Sequence, residues 1–246
     1  KKRVLFYPTS YKRPYEPEKA DNTYILSRTE VLQRISSGER KTIIVTYPEA
    51  LSEKVITRKV MSRNTFRLSV GDSISMDELT DILVSYNFSH VDFVVEPGQF
   101  AIRGGIVDVF SFANDYPYRI EFFGDEVDSI RSFNPIDQLS IEKVRNIVLL
   151  PNFQDHESNN ERETILEYLK RQTTIWIEEV DLLEDRINKE YDKAVLVFNK
   201  IKEQQLNTNN NNDRKTIEDP EVLFSKGDDI VSKLSNHKTI SFGNYG

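Results

Sequence analysis

The sequence predicts a mixed chain of α/β and α+β class in three segments. These are a truncated α/β layer over residues 1–57, an α+β module with a small antiparallel sheet and a packed helix over 58–150, and a helix-rich mixed part over 151–246. Three observations carry this reading. Apolar β-branched runs alternate with helical spacing at the start. In the middle, one capped amphipathic helix precedes strand-like runs joined by short turns. Helical, acidic runs dominate the remainder.

In the first segment, "RVLFYP" reads as a buried strand closed by Pro8, and "KRPYEPEKADN" as a polar, Pro-containing loop. "TYILSRTEVLQRISSG" has helical spacing at Ile25, Leu32 and Ile35 and stops at Gly38, a C′ glycine. "KTIIVTYP" is a short β-branched run of the parallel-sheet kind, and "EALSEKV" opens another helix. Two such strands are too few for a sheet, which marks one edge of a truncated domain.

In the second segment, "SMDELTDILVSYNF" opens with Ser75 and Glu78 at capping-box spacing. Leu79, Ile82, Leu83 and Tyr86 follow at i, i+3, i+4, i+7, one face of a helix. The strand-like runs "QFAIRGGIVDVFSF", "YRIEFF" and "EVDSIRSF", joined by "ANDYP" and the turn "GD", predict an antiparallel meander, with the two glycines permitting a bulge or bend. "IEKVRNIVLLP" adds one extended run. The meander would pack one face on the helix and leave the other free.

In the third segment, "ERETILEYLKRQ" reads as a helix, "TTIWIEEV" as a strand and "DLLEDRINKEYDKAVLVFNKIKEQQ" as a long polar helix. "NTNNNND" is a low-complexity loop expected to be mobile. "DPEVLFSKGDDIVSKLSN" is a helical stretch around a glycine, and "KTISFG" a closing strand.

Composition narrows the function. The chain of 246 residues carries a net charge of −7 with Lys and Arg spread along it, whereas nucleic-acid binders show a basic footprint. It has no Cys, which excludes disulfides and thiolate metal sites and fits a cytoplasmic location. No run reaches the apolar length of a membrane span, and "KKRVLFYPTSYKRPYEPEK" is no signal peptide. The phosphate loop G-x-x-x-x-G-K-[ST] is absent, and His90, His156 and His237 stand near no motif. No catalytic constellation emerges, and no metal or cofactor is expected in this segment of chain.

One constellation remains. Successive strand side chains point to opposite faces. Tyr118, Ile120 and Phe122 share a core face with Phe100 and Ile102, and Arg119, Glu121 and Phe123 share the other with Ala101 and Arg103. A solvated face has no use for Phe123. Either Arg103 and Arg119 pair with Glu121 and Asp108 while Phe123 tucks under the turn, or the face docks a protein, with Ala101 leaving room around the arginines. Arg and aromatic residues are enriched among interface hot spots, each costing roughly 2 kcal/mol or more when truncated.

"GQFAIRGGIVDVFSFANDYPYRIEFFGDEVDSIRSFNPIDQLS" closely resembles the signature of the domain shared by UvrB and the transcription-repair coupling factors of the Mfd type. The pattern is G-x-F/Y-A-x-R-G-x-x-x-D-hydrophobic-F, then P-x-R-hydrophobic-E/D-F-F-x-D-E-hydrophobic-x-S-hydrophobic-R. "LSRTEVLQRISSGERKTIIVTYPEALSEKV" and "IEKVRNIVLLPNFQ" are similar to the Mfd type in the same order, and the UvrB-like "EAQRL" and "ENYSRH" are missing. The resemblance is strong over 58–151, moderate before it and weak after about residue 160.

The resemblance implies a UvrB-like N-terminal region: a domain 1A, an inserted domain 2 and a domain 1B. Domain 2 binds UvrA, the damage-recognition ATPase of nucleotide excision repair. The UvrA-contacting arginines fall on Arg103 and Arg119 and the contacting aromatic on Phe123, with Glu121 between them. It further implies that the chain starts inside 1A, without the phosphate loop. RNA polymerase and DNA would be met by other domains of a longer parent, beyond Gly246, where a translocase motor would use ATP and Mg. This segment itself would be a non-enzymatic docking region. A direct DNA-binding module and a hydrolase without a recognisable motif are the rival classes. Ser111 stands where the family has Pro, which puts the contacts of the following loop in question.

Overall fold

The computed structural model describes residues 4–11, 14–15, 22–38, 42–153, 161–207 and 217–242. The polar loop read after Asn207 and most of the Pro-containing loop after Tyr11 lie outside them. The chain forms two compact units, 1–60 together with 153–246, and 61–152. Helices and strands are mixed, in the α/β and α+β class.

The chain begins with β1 (Val4–Tyr7), α1 (Asn22–Ser36), β2 (Ile43–Thr46), α2 (Pro48–Ser52), β3 (Val55–Ile56) and α3 (Arg58–Arg63). β1 and β2 are parallel, as a strand–helix–strand crossover requires. Past the end of α1, Gly38 takes φ +75° and donates to the Ile35 carbonyl at 3.1 Å, the left-handed C′ position that glycine adopts without a Cβ clash. Arg28 on α1 is buried. It stacks 4.2 Å from the Tyr7 ring centroid, donates to the Pro8 carbonyl at 2.7 Å and pairs with Glu53 at 3.3 Å. A buried guanidinium needs such partners to offset its desolvation.

The second unit contains β4 (Phe66–Ser69), α4 (Met76–Ser85), β5 (Ser89–His90), β6 (Gln99–Arg103), β7 (Ile106–Phe110), β8 (Tyr118–Phe123), β9 (Glu126–Phe133), β10 (Ser140–Val144) and β11 (Asn146–Leu149). Its six-stranded sheet runs β10-β9-β8-β7-β6-β5, antiparallel except where β5 lies parallel to β6. α4 carries the expected capping box, with the Ser75 hydroxyl accepting from Glu78 N at 3.1 Å and Glu78 accepting from Ser75 N at 2.9 Å. Leu79 and Leu83 of α4 are fully buried, as are Val107, Val109, Ile120 and Ile130 of the sheet.

Two expected strands are each a pair. Gly104 and Gly105 form a hairpin turn rather than a bulge, with Gly104 at φ +59° and Arg103 opposite Ile106. "IEKVRNIVLLP" breaks at Arg145, because β10 continues the large sheet while β11 leaves it to pair with β4.

The last part holds β12 (Arg162–Glu163), α5 (Ile165–Tyr168), β13 (Thr174–Ile177), α6 (Val180–Asn207), α7 (Pro220–Leu223), α8 (Gly227–Leu234) and β14 (Lys238–Ser241). The helix expected over "ERETILEYLKRQ" shrinks to one turn, since Arg162 and Glu163 pair with β3 and Leu169 is already extended. Gly227 opens α8 instead of interrupting a helix. A Cβ there would sit 2.6 Å from Glu184 Cγ and 2.7 Å from the Glu184 carbonyl, so the close approach to α6 requires glycine. Among the described residues no helix is long and apolar enough to cross a membrane.

Candidate functional site

The second sheet face is organised by register. Ala101 pairs with Asp108, Asp108 with Arg119, Arg119 with Arg131, and Arg131 with Lys143, so these five residues form one cross-strand row. Arg103, Ile106, Glu121 and Ser129 form the next row. Over both rows four cations (Arg103, Arg119, Arg131, Lys143) meet two carboxylates (Asp108, Glu121), a local excess of two positive charges on a chain of net charge −7. At the turn end of β8, Phe123 stands opposite Glu126.

Asp108 anchors the arginines. It is 1% exposed. Arg119 donates to it twice, from Nε at 2.7 Å and from a terminal nitrogen at 2.8 Å, and Arg103 pairs with it from the neighbouring strand. Bidentate charge-assisted bonds of this kind fix the guanidinium plane, and they raise the Arg119 pKa above its ordinary value. The Arg119 guanidinium also lies 4.6 Å from the Phe133 ring centroid, and that of Arg103 lies 5.3 Å from Phe93. Both arginines are thus held by charge on one side and an aromatic ring on another.

Glu121 does not join this cluster. It pairs with Arg131 and accepts from the Ser129 hydroxyl at 2.6 Å. That hydroxyl above all, with help from Arg131, holds its carboxyl below the usual glutamate value against the opposing effect of burial. Phe123 does not tuck under the Gly124-Asp125 turn. It is 84% exposed. The register slips by one residue between Glu121 and Phe122, with Asp128 the extra residue on β9, and β8 keeps its alternation to its end.

The face is not wholly free. Ala101 is buried with Val94, Phe110 and Phe133 beneath the segment 91–95, so it leaves no open room. That segment is fastened by Gln99, whose side-chain oxygen accepts from Val95 N at 2.9 Å and Glu96 N at 3.0 Å, and by Gln138, which donates to the Val94 carbonyl at 3.3 Å. The apolar residues of "VDFVVEP" are the sequence signal for this cover, but they have no periodicity that would point to a partner. Gly98, the first glycine of the signature, takes φ +83° with a Cβ position 3.0 Å from Phe112. Ser111, fully buried, answers the missing proline. Its hydroxyl accepts from Leu150 N at 2.8 Å and Ala113 N at 3.1 Å, fastening the loop to the end of β11.

Among the described residues no group of three or more His, Asp and Glu could hold a metal ion, and His90 stacks on Phe100 at 5.0 Å between ring centroids. The face carries fixed cations and an exposed aromatic ring.

Residues 66–154, which include this whole face, match the family described as the UvrB interaction domain. Beyond that module, the chain is similar to an N-terminal region of transcription-repair-coupling factors. It is 36% identical over 148 residues to that of Bacillus subtilis (strain 168), covering 60% of this chain and 12% of the relative. It is 33% identical over 138 residues to that of Escherichia coli (strain K12), covering 56% of this chain and 12% of the relative. The UvrABC system protein B of Streptococcus uberis is 32% identical over 158 residues, covering 59% and 24%. The chain therefore spans about one eighth of the length of the coupling factors it matches.

Proposed function

We propose that this region docks UvrA and so recruits it, as part of a transcription-repair coupling factor, to RNA polymerase stalled at a DNA lesion. The observation that carries the reading is Phe123, 84% exposed on the same sheet face as two arginines that the buried Asp108 fixes in place. An exposed aromatic sharing one face with pre-organised guanidinium groups is the composition of an interface hot spot, where ordering costs are already met. Arg103 and Arg119 meet carboxylates of the partner, and Phe123 enters an apolar pocket. Glu121 orients Arg131 rather than touching the arginine pair. RNA polymerase and DNA are partners of other regions of the whole protein, where the ATP-driven motor also resides.

Titration of the purified region with purified UvrA tests this, wild type beside Arg103→Ala, Arg119→Ala and Phe123→Ala. Each folded variant is expected to lose about tenfold in affinity, roughly 1.4 kcal/mol. Wild type that binds DNA but not UvrA, with a steep salt dependence, would favour direct DNA binding instead.

A further inference from the structure

The docking reading uses one apolar anchor, at the turn end of β8. The loop 134–139, which follows the far end of β9, carries another exposed apolar side chain: Ile136 is 92% exposed, with Leu139 exposed beside it. Single exposed apolar residues are ordinary on protein surfaces. What sets Ile136 apart is how firmly it is held out. Asn134 N donates to the Leu139 carbonyl at 2.9 Å and Gln138 N to the Asn134 carbonyl at 2.8 Å, closing the loop. The Asn134 side chain accepts from Ile136 N at 2.9 Å, and the Asp137 side chain from Leu139 N at 2.9 Å. Gln138 adopts φ +62°, which a residue with a side chain rarely does. Such strain persists only where the surroundings over-determine it, and it clusters at functional sites.

The loop is also tied to the arginine row. The Gln138 side chain donates to the Pro135 carbonyl at 2.8 Å and to the Val94 carbonyl at 3.3 Å, while its oxygen lies 3.5 Å from a terminal nitrogen of Arg119. Along β8, Arg119 and Phe123 are four residues apart, about 13 Å at strand spacing. Along the strand direction of β8 and β9, Arg119 and Arg131 therefore lie between Phe123, at the turn, and the loop that carries Ile136.

The geometry points to Ile136 as a second apolar anchor of the same docking surface, entering an apolar site on the protein that engages Arg103 and Arg119. This rests on the docking reading above. The partner's chemistry follows from charge: the two rows carry four cations against two carboxylates, so the matching surface is acidic between two apolar sites.

The test is titration of the 246-residue region with purified UvrA at low and raised salt. The variants are Ile136→Ala and Ile136→Leu, beside Phe123→Ala, Arg119→Ala and, as a distant exposed control on α4, Val84→Ala. Ile136→Ala should lose about tenfold or more, Ile136→Leu should recover most of it, and Val84→Ala should bind as wild type. The Ile136→Ala defect should persist at raised salt, where the Arg119→Ala defect shrinks by screening. If Phe123→Ala and Arg119→Ala lose affinity but Ile136→Ala does not, the second anchor is wrong and the docking reading survives. If wild type does not bind UvrA, both fall. Circular dichroism guards against misfolding, and a side chain this exposed gives no packing to lose.

Discussion

Asp108 and Arg119 face each other across β7 and β8, joined by two hydrogen bonds of 2.7 and 2.8 Å to a carboxylate that is almost wholly buried. The pairing settles how an arginine on a sheet face comes to be rigid. Burial on the acid's side makes the bond strong, while the Arg119 side chain stays partly exposed.

Asp108→Asn keeps the shape and removes the charge. It should cost about 1–3 kcal/mol of stability, held to the low end because its partners are partly solvated. It should also weaken UvrA binding about tenfold, although Asp108 itself is inaccessible. Urea unfolding and titration on the same sample separate the two effects.

Glu121 gives a pH signature. Its folded-state pKa is depressed by the Ser129 hydroxyl and Arg131. Its contribution is therefore complete above the unfolded value of about 4.3 and is lost as pH falls through the lower folded value. The stability difference between wild type and Glu121→Gln should be flat from neutral pH to about 5 and shrink below about 4. A difference that grows on acidification would contradict the assignment. Paired denaturation curves at successive pH values measure it.

Ser111→Ala should destabilise the second unit by about 1–3 kcal/mol, since Leu150 N and Ala113 N lose the hydroxyl they share. Hydrogen exchange should show the loss first around 111–117 and at Leu150. Unchanged protection there would mean that the hydroxyl is incidental.

Much of this was legible in the sequence because the relevant patterns are local. The capping box of Ser75 and Glu78, the C′ glycine at 38 and the alternation through Tyr118–Phe123 each depend on a few neighbouring residues. The hairpin at Gly104-Gly105 was not, because two glycines serve a bulge as well as a turn, and only pairing across the strands decides. The same limit applies to partner choice. Glu121 sits beside Arg119 in sequence, yet pairs with Arg131 on the next strand, while Asp108 takes both candidate arginines. The cover over Ala101 and the display of Ile136 come from loops whose conformation is set by side chains such as Gln99, Asn134 and Gln138, which carry no periodic signal.

The most direct test of the central claim is the affinity of the Phe123→Ala variant for purified UvrA, measured beside wild type with matched circular dichroism. The docking account predicts binding by wild type and a loss of about tenfold or more, roughly 1.4 kcal/mol, with the fold unchanged. Equal binding by a folded Phe123→Ala variant, or no binding by wild type, would contradict it.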